Sequence, residues 1–246
     1  MLADLDLSSS LKFSAVGIDG CRAGWVAAFQ LGGEPMLAVV KTLSELSPYL
    51  SNETAVMIDM PIGLTNDDSS RQCDAMARQR LKPYRSSSVF GVPPRIVTRM
   101  LDYPQANILS RELTGKGLSK QSFYLFPKIR ELDDWLVSDE RRGEWYECHP
   151  EVAFAQLNKG VALEASKKTL VGRTERILLL SELSGVDAAL ERASQVYRRK
   201  DVLPDDCVDA LVCLLTAERD QHRRIVIPAK PESDERGLTM AIVAPA

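Results

Sequence analysis

Three separate segments of the sequence each place an aspartate among apolar residues. Asp19 and Asp59 each close a short apolar run, and Asp209 stands near the start of an apolar helix pattern. A carboxylate is costly to bury unless it is paired or binds a metal ion. Because the feature recurs in three segments, we expect the three acids to meet around divalent cations.

Hard cations such as Mg²⁺ and Mn²⁺ prefer oxygen ligands, typically a few carboxylates completed by water and substrate phosphate. Two such ions a few ångströms apart activate water and stabilise the leaving oxygen in phosphodiester cleavage. Asp206 and Asp209 are three residues apart and therefore share one side of their helix. The pattern predicts a two-metal nuclease site with Mg²⁺ or Mn²⁺ bound by Asp19, Asp59, Asp206 and Asp209.

Two further residues precede Pro150 on a short predicted strand, where Glu147 and His149 share one face at the period of two residues. Glu147 is expected to support the metal site, and His149 is either a structural donor or a general acid and base. Local alternatives exist for other acids, since Asp205 is predicted as a helix N-cap and Asp206 as a first-turn acid. Asp19 could also be a turn residue.

A basic segment from Ala75 to Arg130 contains eleven basic and two acidic side chains, whereas the whole chain has a net charge of −3. Such asymmetry suits a phosphate-bearing partner, although a solvated surface is the alternative for any single residue. Serines, glycine and prolines predict a loop between Arg85 and Arg95. The candidate substrate-binding residues are Arg85, Ser86, Ser87, Arg95, Lys167 and Lys168.

The elements that position these residues follow from turns and apolar runs. Short connections at Gly20 and Gly32 predict an antiparallel meander, and a helical crossover then leads to a strand parallel to the first. Asp67 or Asp68 is a candidate cap for the next helix. Predicted strands are 13–20, 24–31, 36–41, 55–60 and one beginning at 144, with a terminal pair at 224–227 and 239–243; predicted helices include 71–81, 96–113, 120–138 and 205–219.

This order of elements predicts an α/β fold, namely an RNase H-like mixed five-stranded sheet of order 3-2-1-4-5 with helices on both faces. We expect a single domain over 1–246, with a helical basic insertion at 64–143. The helix 205–219 is apolar on most faces and should be buried. Open sheets collect ligands beyond the carboxyl ends of their parallel strands, which is where Asp19, Asp59 and Glu147 are expected.

Six motifs along the chain together resemble one family: Gly17-Ile18-Asp19-Gly20-Cys21 with Trp25, Asp59-Met60-Pro61-Ile62-Gly63-Leu64, Arg85-Ser86-Ser87-Ser88-Val89-Phe90 with Pro93 and Arg95, Glu147-Cys148-His149-Pro150-Glu151, Lys167-Lys168-Thr169 and Asp205-Asp206-Cys207-Val208-Asp209-Ala210. The family is that of predicted RNase H-like nucleases, the domain of unknown function 429. The resemblance implies an RNase H-like fold. By analogy with the Holliday-junction resolvase branch, it also implies a metal-dependent nuclease site.

The number of cysteines and the length of the apolar runs exclude some classes of protein. The five cysteines contain no Cys-x-x-Cys pair, which favours a reducing cytosol over a disulfide framework or a zinc site. No apolar run reaches membrane-spanning length, and the acidic N-terminus Met1–Asp6 has no signal-peptide pattern. We therefore expect a cytoplasmic protein that binds RNA or DNA and no membrane.

Two other functions compete with the nuclease. An actin-like phosphotransferase shares the expected sheet and a Gly-x-Asp-Gly turn like that at Asp19, but the chain has no second Asp-x-Gly phosphate loop. A non-catalytic module could use the basic segment to bind an anion or a protein. Metal binding separates these hypotheses, because a simple binding module has no need for acids converging from three elements.

Overall fold

The computed structural model describes residues 11–67 and 69–246. The N-terminal stretch Met1–Asp6 and the candidate cap Asp68 lie outside the described residues. Within the described chain, the strands form one mixed sheet of order β3-β2-β1-β4-β5-β7-β6. The strands are β1 (Phe13–Cys21), β2 (Gly24–Leu31), β3 (Glu34–Val40), β4 (Leu50–Ile58), β5 (Glu144–Glu147), β6 (Arg224–Ser233) and β7 (Thr239–Pro245).

The expected order 3-2-1-4-5 is present, with an antiparallel meander followed by the parallel strands β4 and β5. The expected limit of five strands is wrong, because the terminal pair extends the same sheet. Strand β7 pairs parallel to β5 at Glu147 and Ile242, and β6 pairs antiparallel to β7. This arrangement covers the edge of the short strand β5, whose backbone groups would otherwise lack ladder partners.

Helices cover both faces of the sheet, as expected. Phe126, Ile129 and Leu132 of the fourth helix pack with Ile18 and Ile58 on one face, and the eighth helix packs on the other. The segment 64–143 therefore contributes a helix to the core. The α-helices are α1 (Gln72–Arg80), α2 (Arg95–Thr98), α3 (Tyr103–Thr114), α4 (Lys120–Trp135), α5 (Pro150–Leu157), α6 (Leu170–Leu179), α7 (Val186–Val196) and α8 (Pro204–Glu218).

Two helix boundaries differ from the sequence prediction. The predicted helix 96–113 is divided into α2 and α3 because Asp102 caps α3, accepting a hydrogen bond from the backbone N–H of Gln105. Asp67 does not cap α1, whose N-cap is Arg71; the Asp67 carboxylate instead accepts a bond from the Ser69 backbone. In the described part of the chain, no helix combines the length and apolar composition needed to cross a membrane.

Gly17 sets the distance between α8 and the sheet. A Cβ atom on this residue would lie 2.1 Å from the Leu214 backbone N and 2.2 Å from the Ala210 carbonyl O. Real Cβ atoms do not make such contacts, so only glycine lets the helix backbone rest directly on β1. This close approach brings Asp209, one residue before Ala210, to the end of β1 where Asp19 lies.

Candidate active site

The structure brings Asp19, Asp59 and Asp209 together. Asp19 lies near the end of β1, Asp59 directly follows β4, and Asp209 lies in the first half of α8. The Asp59 backbone N–H donates to the Ile18 carbonyl O at 2.8 Å, which holds the two strand ends side by side. One carboxylate oxygen from each aspartate lies within 4.8 Å of the other two. The three acids line a cleft of about 320 Å³.

The electrostatics of this cluster favour a bound cation. Burial, with the nearby charges of Asp59 and Asp209, raises the pKa of Asp19 well above its usual value. Burial and the charge of Asp209 raise the pKa of Asp59 to about 8. Oxygen ligands around one Mg²⁺ lie up to about 4.2 Å apart, so a small contraction of the cluster would suit this ion. The residues therefore fit Mg²⁺ or Mn²⁺.

Lys167 forms an ion pair with one member of the cluster. Its Nζ donates to Asp209 Oδ2 and lies 3.9 Å from Asp205 Oδ2. Burial disfavours the ammonium, but the charges of Asp209, Asp19 and Asp59 together outweigh this effect and raise the pKa of Lys167. Lys167 also lines the cleft, whereas the exposed Lys168 is not among the lining residues. The structure therefore separates the two lysines that sequence analysis treated alike.

Glu147 lies beside the cluster and is bound to an arginine. Its Oε2 accepts bonds from Arg71 and from the Ile62 backbone N–H, the latter at 2.9 Å. Burial raises the pKa of Glu147 to about 7, although the charge of Arg71 acts in the opposite direction. The side chain lines the cleft. Glu147 is therefore held in the wall of the cleft by Arg71 and the Ile62 backbone.

Asp206 also lines the cleft, but its carboxylate has a local function. Its Oδ2 accepts a bond from the Leu203 backbone N–H at 2.8 Å and so stabilises the first turn of α8. Burial raises the pKa of Asp206 to about 6. The prediction that Asp205 is the N-cap is wrong, because the helix starts one residue earlier and Leu203 is the N-cap.

His149 immediately precedes α5 and lines the same cleft. Its Nε2 lies 3.5 Å from the Ser88 carbonyl O, and its buried Nδ1 has no partner in the described part of the chain. Burial lowers the pKa of His149, so the imidazole is neutral at pH 7. The contact of Nε2 with Ser88 fits a structural donor, whereas the acid–base role would need a nitrogen exposed in the cleft.

The serine-rich loop reaches the cleft through residues other than those expected. Ser88, Val89 and Phe90 line it, but Arg85, Ser86, Ser87 and Arg95 are not among its lining residues. The Arg85 guanidinium donates to the carbonyl oxygens of Leu163 and Glu164. A phosphate-binding role for Arg85 at this cleft is therefore unsupported by its position.

Arg95 is buried and forms ion pairs with Asp133 and Asp234. The expectation that it binds phosphate needs correction, because its charge is already matched inside the protein. The neighbouring Arg99 likewise pairs with Asp133 and Asp134. These two acids lie just beyond the Ala75–Arg130 segment, so the basic excess counted there is partly neutralised within the fold.

Sequence analysis did not identify two buried ion pairs that frame the cleft. Glu151 accepts two bonds from Arg176 Nη2, at 2.8 and 2.7 Å, and Arg71 lies 3.7 Å from Asp74. Glu151 and Asp74 both line the cleft. Glu151 could have been identified from the sequence, because it follows the candidate His149 by two residues. Neither arginine stands out in the sequence. Arg71 is the N-cap of α1 and Arg176 lies within α6, and both helices contain many polar residues.

Comparison with known protein families gives one match. A family model described as "Protein of unknown function (DUF429)" matches residues 17–233. The matched segment begins at the glycine under α8 and includes the three clustered aspartates and Lys167. No curated protein and no solved structure matches the chain.

Proposed function

The chain belongs to the family of unknown function DUF429, and from that premise we propose that it is an RNase H-like, metal-dependent nuclease that hydrolyses phosphodiester bonds in RNA or DNA. One observation carries the proposal. Three aspartates from two strand ends and a helix have carboxylate oxygens within 4.8 Å of one another at a cleft. Asp19 Oδ1 also accepts a bond from the Gly20 backbone N–H, but a local turn does not account for acids from three elements that meet at one place.

The sheet order supports the same proposal. An antiparallel β3-β2-β1 meander continues into the parallel strands β4 and β5, as expected for an RNase H-like sheet. The acids lie where the parallel strands β1 and β4 end, which is the usual ligand-binding edge of an open sheet.

In this reaction Asp19, Asp59 and Asp209 would hold Mg²⁺ or Mn²⁺. Such an ion would supply an activated water at neutral pH and stabilise charge on the phosphate. His149 is neutral and would accept or return a proton only through a nitrogen exposed in the cleft. The pairs Glu147–Arg71 and Glu151–Arg176 keep the walls of the cleft in place, because each acid is bound to a buried guanidinium.

A small phosphorylated molecule is the second candidate substrate. Arg85 and Arg95, which were expected to bind a nucleic acid backbone, are bound inside the protein. The cleft volume of about 320 Å³ is near the lower limit for small-molecule sites. If the protein cleaves neither RNA nor DNA, these two observations favour a small phosphorylated substrate.

The test is cleavage of labelled single- and double-stranded RNA and DNA in Mn²⁺. Asp59→Asn should lower the rate at least about 100-fold, since even the partners of metal ligands often contribute 10- to 100-fold. The exposed acid Asp220 provides the matched control, Asp220→Asn, which should keep the native rate. Circular dichroism must show that both variants are folded. Activity that persists in Asp59→Asn would contradict the assignment of the site.

A further inference from the structure

We infer that Lys167 supplies the second cation of this site, so that the three aspartates hold one divalent ion beside a permanent lysine ammonium. The inference rests on the proposed metal site and replaces the two-ion arrangement expected from the sequence. It assigns Lys167 to charge balance and phosphate contact at the metal centre. The geometry around Lys167, the engagement of the other acids and the charge of the cluster each support it.

The backbone next to Lys167 is rigidly held. Arg176 is fully buried and donates to the Ala165 carbonyl O at 3.1 Å and to the Gly172 carbonyl O at 2.7 Å. Thr169 caps α6 by accepting from the Gly172 N–H at 3.1 Å. A Cβ atom on Gly172 would lie 2.2 Å from the Ser166 carbonyl O, so the loop packs closely against α6. Lys167 therefore reaches Asp209 from a fixed position.

The remaining acids of the cleft are engaged elsewhere. Glu147 accepts a bond from Arg71, and Asp74 lies 3.7 Å from the same guanidinium. Both oxygens of Glu151 accept from Arg176, and Asp206 accepts from a backbone N–H at the start of α8. Two ions about 3.5–4 Å apart need outer ligands on both sides of the pair. The only acids grouped as metal ligands in the described part of the chain are Asp19, Asp59 and Asp209, and with a small contraction they would surround one ion.

The charges of the three clustered aspartates agree with one divalent ion and one lysine. Three ionised carboxylates are balanced by one divalent ion together with one ammonium group. An ammonium has three N–H donors, and Lys167 uses one of them on Asp209 Oδ2. The other donors can contact a phosphate oxygen of the substrate, which is the contact that a second metal ion would otherwise make.

The experiment measures how many Mn²⁺ ions bind the full-length protein, by calorimetric titration and electron paramagnetic resonance. The native protein should bind one ion and give the six-line spectrum of isolated Mn²⁺. Lys167→Ala removes the ammonium from Asp209 Oδ2 and from the nearby Asp205, so these oxygens should bind a second ion that shows exchange coupling to the first. Lys167→Arg, which keeps the charge, should bind one. The matched control is Lys168→Ala, because Lys168 is exposed beside the loop, and it should behave as the native protein.

Three other results of the Mn²⁺ titration would contradict either the inference or the proposed function. Two coupled ions in the native protein would overturn the inference without any variant, so a folding defect in Lys167→Ala cannot obscure the result. A single ion in Lys167→Ala would also overturn it, because the ammonium would then not occupy a cation position. No bound ion in the native protein would instead overturn the proposed metal-dependent function.

Discussion

Asp59 illustrates the cost of holding the acids together. Burial and Asp209 raise its pKa to about 8 in the folded protein from a usual value of 3.8. The metal-free folded state therefore retains a proton that the unfolded chain releases above about pH 4. It follows that the free energy of unfolding without metal should decrease as the pH rises from about 4 to 8.

This pH dependence is measurable as the melting temperature between pH 5 and 9 in EDTA. Asp59→Asn should weaken the decline, because Asn has no carboxyl group to titrate. Saturating Mn²⁺ should weaken it in the native protein, because the ion stabilises the ionised acids. Equal pH slopes for the native protein and Asp59→Asn would show that Asp59 does not carry the effect.

Asp19→Asn should separate stability from metal binding. Removing one like charge from the cluster should raise the metal-free melting temperature by several degrees at pH 8, because Asp19 lies near Asp59 and Asp209. The same substitution should remove most of the increase that Mn²⁺ produces in the native protein. Thermal denaturation with and without Mn²⁺ measures both effects, with Asp220→Asn as the control. A full Mn²⁺ response in Asp19→Asn would exclude Asp19 as a ligand.

The clustered acids could be predicted because each stands alone in an apolar run. The arginine partners of Glu147 and Glu151 could not be predicted. Arg71 and Glu147 are 76 positions apart and Arg176 and Glu151 are 25 apart, and only the folded chain brings each pair together. Lys167 was identified as a candidate, but as a substrate-binding residue, since no local pattern shows that a lysine in a loop contacts an aspartate 42 positions later.

Among the elements, the packing of α8 on β1 has the most direct effect on the site. Gly17→Ala should lower the free energy of unfolding by about 1–3 kcal/mol or more, as overpacking does, and should weaken Mn²⁺ binding by shifting Asp209. Gly91→Ala is the matched control, because the nearest atom to its added Cβ is a flexible arginine Nη2 at 3.5 Å. Chemical denaturation and Mn²⁺ titration measure the two effects. Native-like Mn²⁺ affinity in a destabilised Gly17→Ala would contradict the positioning role.

The sequence predicted most strands and their order but not where the terminal pair belongs. Six buried residues follow one another in β7, from Met240 to Pro245, as is typical of a strand covered on both faces. This pattern indicates an interior strand without indicating its neighbour. The neighbour, β5, has only four residues and pairs with β7 at one position, so little in either segment specifies the pairing.

Across the whole molecule, charged residues connect distant parts of the chain. Arg95 joins Asp133 of α4 to Asp234 near the turn between β6 and β7, and Asp234 also accepts from the Leu64 backbone N–H at 2.9 Å. We expected the positive charge of Arg95 to bind a nucleic acid backbone, but in the structure it pairs with acids of other elements. A charge count along the sequence cannot detect this, because the acidic partners come from other segments.

Arg95→Ala should therefore reduce stability and leave polyanion affinity unchanged. We expect a loss of about 3 kcal/mol or more, because removing one partner leaves buried carboxylates less compensated. The exposed Arg80 provides the control variant Arg80→Ala, which should stay close to native stability. Urea denaturation measures stability, and heparin binding at several salt concentrations measures affinity. A weaker salt dependence in Arg95→Ala would restore the phosphate-binding role.

The most direct test of a metal centre in this protein is an anomalous difference map from crystals soaked in Mn²⁺. The account predicts a manganese peak bounded by carboxylate oxygens of Asp19, Asp59 and Asp209, and no such peak in crystals of Asp59→Asn. Full manganese occupancy elsewhere, or no peak among the three aspartates at saturating Mn²⁺, would contradict it.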